Sequence, residues 1–364
     1  MTPPSLSTAP LSNDDCAAQL DEMRATIVQA NESRSRLKIV GGGSKEFYGR
    51  RISGTILKTS AYRGIIDYEP SELVMTARAG TRLSDIEKTL GEANQMLAFE
   101  PPQFSNDSTI GGVVVAGLSG PRRPFAGAVR DAVLGVKMMP SNGESLSFGG
   151  QVMKNVAGYD VARLMTGSMG TLGVLLEVSL RVAPCPSTQS TLAWETAGAD
   201  AHQRMLELAR RPLPITAMAY DGTHFRVRLA GHPSAVHDAQ HELAADAIES
   251  NEFWTALNNQ RLPFFQSELP LWRLSVAPGS ALDLPGGWLW DWGGACRWLL
   301  SDQAPETIRA SVRELGGHAT LFRNGDIDSP FMPLPAVNLA LHRQVKNAFD
   351  PHGIFNYGRM YAAV

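Results

Sequence analysis

Hydrophobic residues follow a helical period in one part of the chain and strict alternation in another. From Ser12 onward, apolar residues recur every three or four positions, which predicts an amphipathic helix with Asp15 completing its capping pattern. Residues 82–94 show the same period, and 173–184 alternate apolar and polar residues, which predicts a strand with one buried face. The predicted inward positions of the second helix are Leu83, Ile86 and Leu90.

Short apolar runs predict further strands on both sides of that second helix. They cover residues 37–40, 73–80 and 96–100, so the helix is expected to belong to a βαβ unit. A hairpin is expected to turn at Asn142-Gly143, because this dipeptide accepts the positive φ angles of tight turns.

The composition changes near residue 187. All eight histidines and all seven tryptophans follow this point, and glycine clusters become sparse. The first ten residues are rich in Pro, Ser and Thr and are expected to be disordered. We therefore expect two α+β units, 11–186 and 187–335, followed by a C-terminal segment, 336–364.

Charge and cysteine content exclude several classes of protein. The net charge of −3 over 364 residues argues against a broad nucleic-acid surface. The three cysteines, Cys16, Cys185 and Cys296, are dispersed and form no CxxC pair, which favours a reducing compartment. No apolar run is long enough to cross a bilayer, and the N-terminus lacks the pattern of a signal peptide. We expect a cytoplasmic protein, with any membrane association arising through partner subunits.

Three glycine clusters, each beside an apolar strand-like run, carry the candidate chemistry. They are "VGGGSK" (40–45), "TIGGVVVAGLSG" (109–120) and "GSMGTLG" (167–173). Glycine allows backbone N–H groups to converge on an anion, although a single cluster is more often an ordinary turn. Neither a Walker loop nor a GxGxxG fingerprint is present. Three clusters within one unit suit a long ligand, such as a dinucleotide, that touches several loops.

These clusters, together with "KNVAGYDVARLMTGSMGTLGVLLEVSLRV" (154–182) and "FDPHGIFNYGR" (349–359), resemble the vanillyl-alcohol oxidase family of FAD-binding proteins. The segments "DWGGACRWL" (291–299) and "GGHATLFR" (316–323) narrow the resemblance to the FAD-binding subunits of bacterial glycolate oxidases. The resemblance implies a two-part PCMH-type FAD-binding domain, to which the C-terminal segment returns, and a smaller α+β cap.

The resemblance also implies the FAD-binding residues. The first cluster would wrap the pyrophosphate, so that a side chain at Gly42 would block it. The second cluster would flank the pyrophosphate and ribityl chain, and the third would approach the flavin and adenine ends. These residues are Gly41, Gly42, Gly43 and Ser44; Thr109, Gly111, Gly112, Ser119 and Gly120; Tyr159 and Asp160; and Gly167, Gly170, Gly173 and Val174. No histidine precedes His202 and no cysteine lies in a glycine cluster, so we expect non-covalent FAD.

The resemblance further implies oxidation of glycolate, with D-lactate as a second substrate, and transfer of electrons through flavin to an iron–sulfur partner. Three cysteines are too few to hold such clusters, so the expected partners are an iron–sulfur subunit and a catalytic flavoprotein subunit. The family's catalytic dehydrogenases carry a Gly-His…Gly-Asp-Gly-Asn…His segment, and the nearest sequence here, residues 316–330, does not match it. Catalytic residues are therefore not assigned. A self-sufficient D-2-hydroxy-acid dehydrogenase and a non-catalytic relay or assembly subunit remain alternatives.

Three other groups of residues have both a structural and a functional interpretation. His237 and His241 have the spacing of metal ligands on a helix, but lack a third ligand, and no metal is expected. Alternating tryptophans in "WLWDW" are expected to share one strand face, either in the core or at a partner contact. A basic loop could bind an anion or be solvated. These tryptophans are Trp288, Trp290 and Trp292, and the basic residues are Arg122, Arg123 and Arg130.

Overall fold

The computed structural model describes residues 13–150, 160–326 and 328–364. The first described element is a long helix, α1 (Asn13–Ser33), which leads into two parallel strands, β1 (Leu37–Val40) and β2 (Thr55–Lys58). The helix packs its buried residues, Met23 and Ile27 among them, against β1 and the C-terminal tail. The predicted helix is confirmed from Asn13 onward, and the strand at 37–40 is confirmed; the predicted helix start at Ser12 lies outside the described residues.

A five-stranded antiparallel sheet forms the second layer of this half. Its strand order is β3-β4-β8-β6-β7. Its strands are β3 (Ile65–Glu69), β4 (Val74–Arg78), β6 (Val133–Met139), β7 (Leu146–Gly149) and β8 (Val174–Arg181). Four helices, α2 (Leu83–Glu92), α3 (Ile110–Ala116), α5 (Val129–Ala132) and α6 (Val161–Met165), contribute to the core on this sheet, and α4 (Arg123–Ala126) lies in the intervening loop.

The periodicity of this region predicted most of its elements correctly. Leu83, Ile86 and Leu90 are almost completely buried, as the helical period indicated. The hairpin between β6 and β7 is also confirmed, and Gly143 has a φ of 78° in its turn. Strand β6 ends at Met139 and β7 begins at Leu146, so six residues connect the two strands.

The predicted βαβ unit is wrong. Strand β4 pairs antiparallel with β3 and β8, and β5 (Gln95–Met96) belongs to a separate two-stranded sheet with β9 (Ala183–Pro184). Residues 97–100 form a loop, in which Leu97 and Phe99 are buried and Glu100 adopts a positive φ of 47°. A short apolar run does not distinguish a buried loop from a strand.

An eight-stranded antiparallel sheet fills the chain from residue 188 to 323. Its order is β13-β10-β12-β11-β15-β16-β14-β17. Its strands are β10 (Thr188–Glu195), β11 (Ile215–Tyr220), β12 (His224–Gly231), β13 (Ala247–Glu249), β14 (Leu271–Ser275), β15 (Gly287–Asp291), β16 (Cys296–Leu300) and β17 (His318–Arg323). The helices between them are α7 (Gly198–Leu208), α8 (Pro233–Leu243), α9 (Glu252–Asn258) and α10 (Pro305–Glu314).

Helix α8 stops short of the edge strand that follows it. It ends at Leu243, where Ala244 adopts the left-handed conformation, and residues 247–249 form the edge strand β13. The last helix of the chain, α11 (Ala336–Phe349), leads into the C-terminal tail. Within the described ranges, no helix combines the length and apolar character needed to span a bilayer.

The C-terminal tail packs against β1, far from it in sequence. Leu37 exchanges backbone hydrogen bonds with Ile354 and Asn356 at 2.7 and 3.0 Å. The tail is fixed by a buried ion pair in which Lys346 Nζ lies 2.6 Å from Asp350 Oδ2. The same carboxylate accepts the backbone N–H groups of Ile354 and Phe355. The chain passes into the eight-stranded sheet at residue 188; the division into domains at 186/187 and 335/336 stays a proposal.

Candidate functional site

A large cleft lies where parts of all three glycine clusters meet. Its empty volume is about 850 Å³, part of it open to solvent, which falls within the range of small-molecule sites of about 300–1,000 Å³. Its lining includes Gly41, Gly42, Gly43, Ser44, Lys45, Tyr48, Thr109, Gly111, Gly112, Met169, Gly170, Gly173, Asn356 and Arg359. We refer to this site as the larger cleft.

The first glycine cluster turns the chain directly after β1. Gly43 has a φ of 71°, and a Cβ added there would meet no atom within 4 Å, so its backbone borders open space. Gly42 has a different role. A Cβ there would lie 1.5 Å from the carbonyl oxygen of Asp107, so Gly42 is needed for packing against the loop before α3. A side chain at Gly42 would thus meet the protein's own backbone first, and the expectation that it would block a ligand stays a prediction.

A lysine follows this loop and points along the cleft. Lys45 Nζ donates hydrogen bonds to Ser108 Oγ at 2.9 Å and Ser44 Oγ at 3.2 Å. Burial lowers the pKa of Lys45 from 10.5 to about 8. No ion pair joins Lys45 to a carboxylate anywhere in the described residues. Its charge is consequently available to an anionic ligand. The sequence signal for this lysine was its position directly after the glycine run, as the last residue of "GGGSK".

Two residues of the C-terminal tail complete the cleft. Asn356 accepts a hydrogen bond from the backbone N–H of Ile39 at 2.8 Å and donates one to the carbonyl oxygen of Met169 at 2.7 Å, so it joins strand β1, just before the first cluster, to the third cluster. Arg359 donates to the carbonyl oxygens of Lys45 and Glu46 and holds the loop after the first cluster. These residues are more than 300 positions from that loop, and nothing local in the sequence placed them there.

The predicted FAD residues do not all border the larger cleft. Those that do, apart from the first cluster, are Thr109, Gly111, Gly112, Gly170 and Gly173. Ser119 and Gly120 line a smaller pocket instead. Asp160, Gly167 and Val174 line neither site; Asp160 caps α6, and Val174 is completely buried beside α1. Tyr159 lies outside the described residues. The assigned roles of all these residues stay predictions.

The larger cleft fits a long anionic ligand such as FAD. Bare backbone at Gly43 and the half-buried ammonium of Lys45 suit a pyrophosphate. Apolar residues at the same cleft, such as Val115, Ala116 and Met169, suit a planar ring system. The structure thus offers both kinds of surface that a dinucleotide requires.

The smaller pocket lies between the eight-stranded sheet and the loops after α3. Its empty volume is about 360 Å³. Its polar lining includes Arg273 and Asp291, and its apolar lining includes Leu118, Trp292 and Phe322. Burial raises the pKa of Asp291 from 3.8 to about 7 and that of the Cys296 thiol from 9.0 to about 11.

Comparison with known proteins identifies the family. A family model described as an FAD binding domain matches residues 15–149. The glycolate oxidase subunit GlcE of Escherichia coli K12 is 44% identical over 349 residues, which span 94% of this chain and 99% of that protein. The chain belongs to the GlcE family of glycolate oxidase subunits. FAD is the cofactor of this GlcE-family chain.

More distant relatives match the GlcE-family chain over about half its length. The glycolate oxidase subunit GlcD of Bacillus subtilis 168 is 29% identical, over 54% of this chain and 42% of its own. A D-lactate dehydrogenase of Anaerostipes hadrus is 29% identical, over 48% and 37% respectively. A solved structure of alkyldihydroxyacetonephosphate synthase matches with a TM-score of 0.63 at 15% identity, covering 92% of this chain and 74% of its own. This likeness confirms the α+β fold class of PCMH-type FAD-binding proteins.

The tryptophan and histidine motifs do not line the larger cleft. Trp288 and Trp290 belong to β15, but Trp292 follows the strand with a φ of 55° and packs in the core cluster of Leu289, so the predicted common face is wrong. His237 and His241 contact each other at 3.1 Å on α8. Across residues 13–150, 160–326 and 328–364, no group of three candidate ligands could hold a metal ion.

The three arginines of the basic loop lie in different environments. Arg122 is buried and pairs with Glu100 at 3.3 Å. Arg123 stacks on Trp292 at 4.3 Å from the ring centroid, and Arg130 is exposed.

Proposed function

We propose that this chain is the FAD-binding subunit of a glycolate oxidase complex that oxidises glycolate, and also D-lactate, to the 2-oxo acid. Electrons would leave the flavin for an iron–sulfur partner. The observation that carries the proposal is the 44% identity to Escherichia coli GlcE over almost the full length of both chains. The convergence of three glycine clusters on one cleft supports the cofactor part of it.

In this proposal the chain's own residues bind and orient the cofactor. The backbone of Gly41–Ser44 and the ammonium of Lys45 would hold the pyrophosphate, and Thr109, Gly111 and Gly112 would flank it. Asn356 and Arg359 would keep the loops in place, because they bind backbone atoms on both sides of the cleft. FAD, when bound, would supply the acceptor for the hydride that leaves the α-carbon of the hydroxy acid. We further propose that it is bound non-covalently.

The partners follow from what this chain contains. Its three cysteines are free and distant in sequence, whereas iron–sulfur clusters need sets of thiolate ligands. A separate subunit would therefore carry the clusters. A GlcD-like flavoprotein is the proposed catalytic partner, since the GlcD subunit of Bacillus subtilis is similar to about half of this chain.

The test is reconstitution of the complex with and without this chain. The chain is co-expressed with a GlcD-type subunit and an iron–sulfur subunit, and glycolate-dependent dye reduction is measured anaerobically. We expect full activity only with all three chains, and we expect FAD to be released from this chain by denaturation. Equal activity without this chain would refute a role in electron flow, and absence of FAD from a folded chain would refute the cofactor assignment.

A further inference from the structure

We propose that the smaller pocket binds a carboxylate anion, which pairs with Arg273 across the pocket from Asp291. On the further assumption that the proposed function is correct, the anion is the 2-hydroxy acid or its 2-oxo product. The anion site itself does not depend on the proposed function.

The polar side chains of the pocket project from one face of the eight-stranded sheet. Asp291 is paired with Cys296 across β15 and β16, and Arg273 is paired with Trp298 across β14 and β16. Residues directly opposite each other, and residues two apart on a strand, share a sheet face. All four residues therefore lie on the same face, and all four line the smaller pocket.

Three arginines on this sheet can be compared by their partners. Arg226 forms ion pairs with both Asp221 and Glu249, and Arg228 lies 2.8 Å from Glu100. Arg273 forms no ion pair with any carboxylate of the described residues. A partly buried guanidinium without a carboxylate is costly, and its planar fork matches a bound carboxylate.

The remaining neighbours of Arg273 do not balance its charge. Its guanidinium contacts the hydroxyl of Tyr48 and lies 4.9 Å from the Trp292 ring centroid. The nearby thiol of Cys296 is neutral at physiological pH, because burial raises its pKa to about 11. The other acidic neighbour, Asp291, is neutral below pH 7, because burial raises its pKa to about 7. Below that pH, Arg273 has only neutral hydrogen-bonding and aromatic neighbours and is prepared for an external anion.

The backbone at the pocket wall is strained, which is typical of functional sites. Trp292, a bulky residue, adopts a φ of 55°, and Gly293 and Gly294 continue with φ of 62° and 89°. The Trp292 indole N–H donates to the carbonyl oxygen of Gly120 at 2.9 Å, which fixes the ring against the loop after α3. The strained turn thereby keeps the tryptophan beside Arg273.

The pocket also adjoins the larger cleft. Tyr48 lines the larger cleft, while its hydroxyl contacts Arg273 in the smaller pocket. Its ring lies 5.2 Å from that of Phe322, a wall residue of the smaller pocket. An anion held by Arg273 would thus be separated from the cofactor cleft by one layer of side chains.

Asp291 makes anion binding depend on pH. Its pKa of about 7 arises mainly from burial, and the charged or titratable groups around it are Glu100, Arg228, Arg273 and Cys296. Below pH 7 its carboxyl group is neutral and does not repel an anion. Above pH 7 it ionises, and the affinity of the pocket for a carboxylate should fall.

The test is calorimetric titration of the FAD-loaded chain with oxalate and with glycolate at pH 6 and pH 8. Arg273→Met should weaken oxalate binding at least about tenfold, since a charge-assisted hydrogen-bonded pair is lost. Arg123→Met is the matched control, because Arg123 also stacks on Trp292 but does not line the pocket. It should keep wild-type affinity. FAD content, measured separately, should be unchanged in both variants.

Each outcome decides the proposal. Wild-type affinity in Arg273→Met, or absence of oxalate and glycolate binding by the wild-type chain at both pH values, would overturn it. Should Arg273→Met fail to fold, the Asp291→Asn variant is tested in its place. It should bind oxalate at pH 8 as tightly as at pH 6, and an oxalate affinity that is still weaker at pH 8 would refute the site. Loss of FAD with oxalate binding intact would instead refute the proposed function and leave the anion site standing.

Discussion

The larger cleft and the smaller pocket are built in opposite ways. The larger cleft is bordered by glycine backbone and a few polar groups, supplied by loops that follow strands. The smaller pocket is bordered by large side chains from strands of one sheet and by the loops that face them. Backbone sites suit phosphate groups, which need many N–H donors, whereas side-chain sites distinguish small ligands by charge and shape. This difference agrees with the two proposals, FAD in the larger cleft and a smaller anion in the smaller pocket.

The two sites also differ in how they are held together. The larger cleft depends on the tail and its buried Lys346–Asp350 pair. The smaller pocket depends on Glu100, which joins Arg122 to Arg228 of the eight-stranded sheet. Each site is thus held in place by charged side chains that lie far from its lining residues in the sequence.

The largest expected effect comes from removing the tail's buried carboxylate. Asp350→Asn should lower the free energy of unfolding by about 3–5 kcal/mol, because Lys346 would be left buried without its counter-ion. Denaturant unfolding measures this. Asp21→Asn, in a pair whose aspartate side chain is 70% exposed, should cost under about 1 kcal/mol. Equal costs in the two variants would show that the tail is not held by this pair.

Asp291 should make stability depend on pH. Its pKa is about 7 in the folded chain and 3.8 ordinarily, so folding takes up a proton between those values, and stability falls as pH rises from 4 to 7. An asparagine at this position cannot ionise, so the stability of Asp291→Asn should not fall in this way. At pH 8 the variant should be more stable than the wild type by up to about 4 kcal/mol. The difference between the two proteins should vanish near pH 4. A difference that does not change with pH would contradict the raised pKa.

A methyl group at Gly43 should impair the larger cleft while the fold persists. Gly43→Ala should cost about 1–2 kcal/mol of stability, because its φ is 71°. Its Cβ enters open space in the cleft, where the ligand is expected. FAD affinity should therefore fall at least about tenfold, which corresponds to a loss of only about 1.4 kcal/mol of binding free energy. Gly91→Ala in α2, where a Cβ also meets nothing within 4 Å, should instead gain about 0.5–1 kcal/mol and keep FAD. Normal FAD affinity in Gly43→Ala would place the cofactor elsewhere.

The smallest effect concerns the charge of Lys45. Burial sets its pKa at about 8 in the free chain, and a bound phosphate should raise it. FAD affinity should therefore fall by up to about tenfold for each pH unit above 8 until the raised pKa is reached. Titrations at pH 7, 8 and 9 measure this slope, which should disappear in Lys45→Met. The same slope in both proteins would assign the titration to another group.

Sequence reasoning predicted the larger cleft better than the smaller pocket. Gly41–Lys45 form one local segment, so the converging backbone could be inferred from five consecutive residues. Arg273, Asp291 and Cys296 come from three strands, and only the register of those strands brings them together. Asn356 and Arg359 are harder still, since their partners are the backbone atoms of other loops. The failed βαβ prediction has the same cause: pairing between β4 and β8 is a long-range choice.

The most direct test of the account is an FAD titration of the purified chain and two lysine variants. We predict one FAD per wild-type chain, released on denaturation, with affinity reduced at least about tenfold in Lys45→Met, which loses a charge-assisted phosphate contact. Lys88→Met, an exposed lysine of α2, should bind FAD as the wild type does. Equal affinity in all three proteins, or a folded wild-type chain that binds no FAD, would contradict the assignment of the larger cleft as the cofactor site.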